Sequence, residues 1–146
     1  MPITVESFMT RNPRCIEAST PVGEAYRLMR QLDVRHLPVL LDERIAGLLS
    51  QRELLRLEAQ ASIDRSQAPV SDAMTLDPYV VEPGAHVAQV AAEMSARKLG
   101  SAIVADKNRV VGIFTTSDAL QAFASLLRRS VMEDRRATIR SAGIID

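Results

Sequence analysis

The chain has 146 residues, 47% hydrophobic and 25% charged, with 18 basic and 18 acidic side chains. This is enough for one ordinary domain with a continuous core, and zero net charge gives no electrostatic reason to expect a polyanion such as DNA as partner. The one cysteine, Cys15, excludes an internal disulfide and a cysteine-rich metal site, and no run reaches the roughly 18 apolar residues that a membrane span requires.

At the start of the chain, Met1-Pro2-Ile3-Thr4-Val5-Glu6 lacks a basic region followed by an apolar one, so no signal peptide is read there and a cytoplasmic location is expected. A short extended stretch follows around Cys15-Ile16. Thr20 is placed to cap a helix that opens at Pro21, where a missing amide hydrogen costs nothing. Val22, Ala25, Met29 and Leu32 recur at helical spacing and form one apolar face. Leu37 to Leu41 and Ile45 to Leu49 read as two short strands joined by a turn at Asp42-Glu43-Arg44. Gly47 lies inside the second strand, which signals a close backbone approach or a bulge. A second helix starts at Ser50 and uses Leu54, Leu55 and Leu57.

The same series then returns at a spacing of 65 residues without a gap. Met9-Thr10 falls on Met74-Thr75, Pro13 on Pro78, Glu17 on Glu82, Val22 on Val87 and Met29 on Met94. Val39 falls on Val104, Arg44 on Arg109, Gly47 on Gly112 and Leu55 on Leu120. A tandem duplication explains this single register better than chance. The copy predicts a helix from His86 to Arg97, strands over Ser101 to Ala105 and Val110 to Phe114, a turn at Lys107-Asn108, and a closing helix from Thr116 to about Val131. We therefore expect an α+β fold of two β-α-β-β-α repeats, each a three-stranded sheet with two helices, stacked to cover faces that one unit leaves wet. The boundaries are residues 1–61 for the first repeat, 62–69 for a linker, 70–129 for the second repeat and 130–146 for a charged tail. Ala119, Phe123 and Leu127 continue an apolar stripe that is either internal or turned toward a second chain.

Arg35-His36-Leu37-Pro38-Val39, then Gly47-Leu48-Leu49-Ser50-Gln51-Arg52-Glu53, resembles the cystathionine-beta-synthase (CBS) domain family. Gly112-Ile113-Phe114-Thr115-Thr116-Ser117-Asp118 repeats the pattern, as does the Met-Thr with its following proline in both units. The resemblance implies a pseudo-twofold pair, often called a Bateman module, that takes an adenine nucleotide (AMP, ADP or ATP), NAD or S-adenosylmethionine as regulatory ligand. It also implies a homodimer and an effector protein encoded elsewhere.

On the same resemblance, Asp118 would hold the ribose and Thr115 would help with phosphate. A carboxylate accepts both ribose hydroxyl protons, and a helix start supplies amide donors to a phosphate. Local physics offers a second reading, because Thr115 and Asp118 also have capping spacing. Arg35 and His36 of the opposite repeat would meet the phosphate, and a protonated His36 would make binding weaken above about pH 6.5 to 7. Tyr79, Val80 and Val81 would contact the base, although Tyr79 is equally readable as core or rim. The equivalent pair in the first repeat, Ser50 and Glu53, has capping-box form and a longer acid. It faces Gly100 and Ser101, which carry no charge, so one good site and one degenerate site are expected.

Nothing points to catalysis. His36 and His86 are the only histidines, and no metal-ligand cluster, glycine-rich phosphate loop or nucleophile elbow occurs. A purine-synthesis dehydrogenase carries such a module, but its catalytic domain has no counterpart here. The alternative to a ligand sensor is a protein-interaction scaffold that binds no nucleotide. DNA binding through Arg128, Arg129, Arg135, Arg136 and Arg140 is the least favoured reading, since Glu133 and Asp134 dilute that cluster and no helix-turn-helix pattern supports it.

Overall fold

The computed structural model describes residues 3–60, 62 and 64–143. Met1, Pro2, Ala61, Ile63 and Ile144 to Asp146 lie outside the described residues, and with them the expected start and end of the first repeat and the last residues of the tail. The first repeat runs as β1 (Thr10–Arg11), β2 (Ile16–Glu17), α1 (Val22–Leu32), β3 (His36–Leu41), β4 (Arg44–Ser50) and α2 (Gln51–Glu58). The second runs as β5 (Thr75–Leu76), β6 (Val80–Val81), α3 (Val87–Arg97), β7 (Ser101–Asp106), β8 (Arg109–Thr115) and α4 (Thr116–Ser141).

The α+β repeat architecture is as expected, with one refinement: each sheet has four strands, ordered β2-β3-β4-β5 and β1-β8-β7-β6. The fourth strand comes from the other repeat. β1 pairs antiparallel with β8, Thr10 opposite Ile113, and β5 pairs with β4, Leu48 opposite Thr75. Hydrogen bonds ahead of these strands repeat the exchange residue for residue. Val5 N–H donates to Ala85 O at 2.9 Å and Val87 N–H to Ile3 O at 2.9 Å. Their counterparts are Val70 N–H to Thr20 O at 2.7 Å and Val22 N–H to Ala68 O at 2.8 Å. Val5 and Val70 are fully buried, each in the core of the opposite repeat. Burying such a side chain is worth about 1.5–3 kcal/mol, so the exchanged segments are a substantial part of what joins the two halves.

Gly47 and Gly112 make room for that exchange. A Cβ at Gly47 would lie 2.7 Å from Thr75 O and 2.8 Å from Met74 Sδ, and one at Gly112 would run into Met9 Sδ. The pairing also slips here, because Val39 is opposite Gly47 but Leu40 is opposite Ile45, leaving Ala46 as an extra residue. Both sequence readings of Gly47 therefore hold: a bulge, and a close approach beside it. The copy slips in the same way at Val111.

The backbone keeps the repeat even where side chains differ. Positive φ recurs at Asn12 and Asp77, Asp33 and Lys98, Asp42 and Lys107, and Glu43 and Asn108. The last two pairs form two-residue hairpin turns with both φ values positive, whose twist suits antiparallel strands. Asp33 and Lys98 end α1 and α3 in the left-handed conformation.

Several local expectations change. α1 starts at Val22 with Pro21 at the N-cap and no side-chain cap, so Thr20 does not cap it. Thr20 O instead accepts from Val70 N–H, part of the exchange. Leu32 and Leu55 are exposed, while Leu54 and Leu57 are buried. The largest difference is α4, which continues unbroken to Ser141, so most of the expected tail is helix. Its one buried residue is Ala122; Leu120, Phe123, Leu126, Leu127, Val131 and Met132 are exposed.

The close approach predicts an asymmetry among glycines. Gly47→Ala should destabilise by about 1–3 kcal/mol, because the neighbour it meets is a backbone carbonyl that cannot swing away. Gly84→Ala, with nothing within 4 Å, should leave the denaturation midpoint nearly unchanged. Urea titrations monitored by circular dichroism compare the two, and equal losses would mean that the contact at Gly47 is not the cause.

Candidate functional site

The starts of α2 and α4 are equivalent in the backbone and different in chemistry. Thr115 N–H donates to Asp118 Oδ2 at 2.8 Å, and Thr115 Oγ1 to the same oxygen at 3.0 Å. Asp118 N–H returns a bond to Thr115 Oγ1 at 3.3 Å, completing a capping box. The local reading of this pair is thus realised. Asp118 Oδ1 takes no part in it.

At α2 only half of the motif forms. Glu53 N–H donates to Ser50 Oγ at 3.2 Å, but the Glu53 carboxylate turns away and lies 3.7 Å from Arg56. The expected full capping box is therefore absent there. The Glu53 carboxylate is turned instead toward Arg56, one turn further along the helix.

Across the molecule, His36 comes against Gly100, its Nε2 3.1 Å from where a Cβ would stand. Gly100 O accepts from Thr116 N–H at 3.1 Å and from Thr116 Oγ1 at 3.2 Å, and Ser101 pairs with Thr115 across β7 and β8. The fold thus gathers His36, Gly100, Ser101 and Thr115 into one neighbourhood, with Arg35 beside His36 and Asp118 in the first turn of α4. In the first repeat the equivalent bond runs from Gln51 N–H to Arg35 O at 2.8 Å. The role of Gly100 was not read from the sequence, although a glycine standing where the copy has Arg35 is the signal. Ser101 is buried, and its Oγ has no hydrogen-bond partner among the described residues.

His36 is mostly enclosed. Burial, and then the neighbouring Arg35 guanidinium, hold its pKa below the ordinary 6.5. The imidazole is therefore neutral at pH 7 in the free protein, and the positive charge belongs to Arg35.

Tyr79 lies at the edge of the second core with the Arg97 guanidinium 5.3 Å from its ring centre. Its carbonyl accepts from Ile103 N–H at 2.9 Å. Val80 and Val81 pair in parallel with Ile103 and Val104, Val80 exposed and Val81 half-buried. Tyr79 is thus a rim residue, and Arg97 covers its ring.

Two open clefts lie elsewhere, along α1. One of about 390 Å³ is lined by residues including Arg14, Cys15, Glu17, Glu24 and Arg27, and one of about 520 Å³ by Gly23, Tyr26, Arg27, Arg30 and Gln31. None of the residues expected to bind ligand lines either. Among the described residues no group of three or more His, Cys, Asp or Glu could hold a metal ion, and no helix is long and apolar enough to cross a membrane.

A family model described as the CBS domain matches residues 5–60 and 70–125. The AcuB protein from Vibrio cholerae is similar in structure, with a TM-score of 0.78 and 32% identity over 90% of this chain and 98% of that one. CBSX2, solved in complex with AMP, gives a TM-score of 0.75 and 26% identity over 84% of this chain and 97% of that one. The CBS domain-containing protein YhcV from Bacillus subtilis is 27% identical over 79% of this chain and 81% of its own length. An inosine-5'-monophosphate dehydrogenase from Korarchaeum cryptofilum is also 27% identical, but this chain spans only 23% of its length. The chain likewise spans 23% of a homoserine O-acetyltransferase from Methanocorpusculum labreanum.

The state of His36 has a consequence for stability. Folding lowers its pKa, so the unfolded chain binds the proton more readily, and stability rises with pH between the folded and unfolded values. The full contribution is present above about 6.5 and is lost as the pH falls through the folded value. The thermal midpoint should fall on acidification below about pH 6.5, and His36→Gln should flatten that part of the profile. An unchanged slope in the variant would assign the acid sensitivity to other groups.

Proposed function

The chain belongs to the CBS domain family, and on that premise we propose that it is a non-catalytic regulatory module sensing an adenine nucleotide or adenosyl ligand between its repeats. It acts in the cytoplasm on an effector protein. AMP, ADP, ATP, NAD and S-adenosylmethionine are the candidate ligands, and the AMP complex of CBSX2 supports the first of them. The observation that carries the reading is the difference between the two helix starts. At α4, Asp118 keeps one carboxylate oxygen outside its capping box, and His36 of the other repeat packs against Gly100, whose carbonyl accepts from Thr116 at the same helix start.

In this reading Asp118 Oδ1 accepts from the ribose, and Thr115 with the amides of the α4 start approaches the phosphate. Arg35 supplies the charge-assisted bonds. His36, neutral when the site is empty, takes up a proton as the phosphate arrives. Val80 and Val81 with the rim of Tyr79 border the base. Ser50, Glu53 and Ser101 form the weaker second site, since Glu53 turns toward Arg56 and Gly100 offers no charge. A scaffold that binds no nucleotide is the second reading, favoured by the capping box, which already engages Thr115 and one oxygen of Asp118.

A thermal-shift panel of the candidate ligands separates these two, and calorimetry with the best ligand then locates it. Asp118→Ala should cost roughly 2–5 kcal/mol of affinity, Arg35→Ala a comparable amount, and Glu53→Ala much less. Because Asp118→Ala also removes a cap worth about 1 kcal/mol of stability, Asp118→Asn is the companion variant; it keeps an acceptor oxygen for Thr115 but loses the charge. Wild-type affinity in both Asp118 variants would return the pair to capping alone, and equal losses at Asp118 and Glu53 would remove the asymmetry.

Homodimerisation belongs to the same proposal, with a helix face of α4 at the interface. Leu120, Phe123, Leu127 and Val131 lie on one side of α4 and are exposed, more apolar surface than a lone helix face ordinarily leaves in water. Wild type should sediment as a dimer at micromolar concentration and Phe123→Glu with Leu127→Glu as a monomer. A monomeric wild type would end this part of the proposal.

A further inference from the structure

The far half of α4 is built differently from its first half. Arg128-Arg129-Ser130-Val131-Met132-Glu133-Asp134 is followed at once by Arg135-Arg136-Ala137-Thr138-Ile139-Arg140-Ser141. Arg128 recurs as Arg135, Arg129 as Arg136 and Met132 as Ile139, a seven-residue repeat within an unbroken helix.

Such a repeat keeps one face in register along a helix. At about 3.6 residues per turn, all five arginines fall within an arc of about 140°, with Met132 and Ile139 in its middle. Glu133 borders that arc and Asp134 lies on the opposite side. The helix thus sorts charges that appear mixed in the sequence. None of the five arginines makes an ion pair among the described residues, and no residue from Arg128 to Ser141 is buried.

We propose that this face docks a helix of an effector protein that presents carboxylates at heptad spacing on either side of an apolar seam. Arginine forks form paired bonds with carboxylates, and Met132 and Ile139, one heptad apart, meet apolar residues of the same spacing. A phosphate backbone would leave those two apolar side chains without a use. A second copy of the chain is disfavoured on this face, because arginines would meet arginines. The dimer stripe through Phe123 and Leu127 lies on another side of the helix, so both surfaces can be occupied together. An isolated helix of this length is marginal in water, and a partner would supply the packing it lacks. The inference stands on α4 alone and holds whether or not the cleft takes a nucleotide.

The test uses the full chain and a labelled synthetic helical peptide with leucines along one seam and glutamates flanking it in each heptad. A control peptide has the same composition with its glutamates scattered around the helix. Fluorescence anisotropy should show binding of the first peptide that weakens with salt, and about ten-fold or more weakening in the Arg128→Glu, Arg135→Glu double variant. Equal binding of the scattered peptide, no binding of either, or tighter binding of duplex DNA or phosphatidylglycerol vesicles would overturn the proposal. Nucleotide calorimetry on the same double variant reads the cleft separately, so an empty cleft and a failed dock are distinguishable.

Discussion

The architecture depends on one contact made twice: a methionine and its strand from one repeat lie across a glycine in the last strand of the other. Met74 and Thr75 sit over Gly47, and Met9 sits over Gly112. Any side chain at either glycine would occupy that space. Because the crossing segment also fills the other repeat's core with Val5 or Val70, neither half has a complete sheet or a complete core alone. The two halves are therefore expected to fold as one cooperative unit, although the sequence is a tandem repeat.

This constraint acts on the backbone and leaves the side chains at the helix starts free to diverge. Positive φ at four pairs of non-glycine positions preserves the repeat in conformation, while the residue changes within all four pairs and stays polar or charged throughout, from Asp33 and Lys98 to Glu43 and Asn108. The residues around the candidate site diverge as well. Asp118 closes a capping box and Glu53 does not; Arg35 and His36 stand where the copy has Gly100 and Ser101. The frame is symmetric and the chemistry at its two related positions is not.

Helix α4 ties the parts together. Its first turn holds Thr115 and Asp118, its middle exposes Phe123 and Leu127, and its far half carries the arginine face. At about 1.5 Å per residue it is a rod of about 39 Å. In the proposed reading, ligand, second copy and effector would each meet a different part of this one helix.

Much of this was legible without coordinates. The apolar periodicities placed Val22, Ala25 and Met29 on one buried face, the 65-residue register placed the copy, and Gly47 marked its own close contact, because local spacing and backbone sterics decide such features. Contacts between residues far apart in sequence were decided only by the tertiary structure. The crossing of β1 and β5 gave each sheet a fourth strand, and α1 took Pro21 rather than Thr20 as its N-cap. Burial with Arg35 alongside kept His36 neutral, a state that composition cannot reveal. The arginines of the expected tail looked diluted by Glu133 and Asp134 in linear order, and only a helix continuing to Ser141 turned them to one side. Charge along a chain is a sum, whereas charge on a helix face depends on angle, and the angle exists only once the helix has formed.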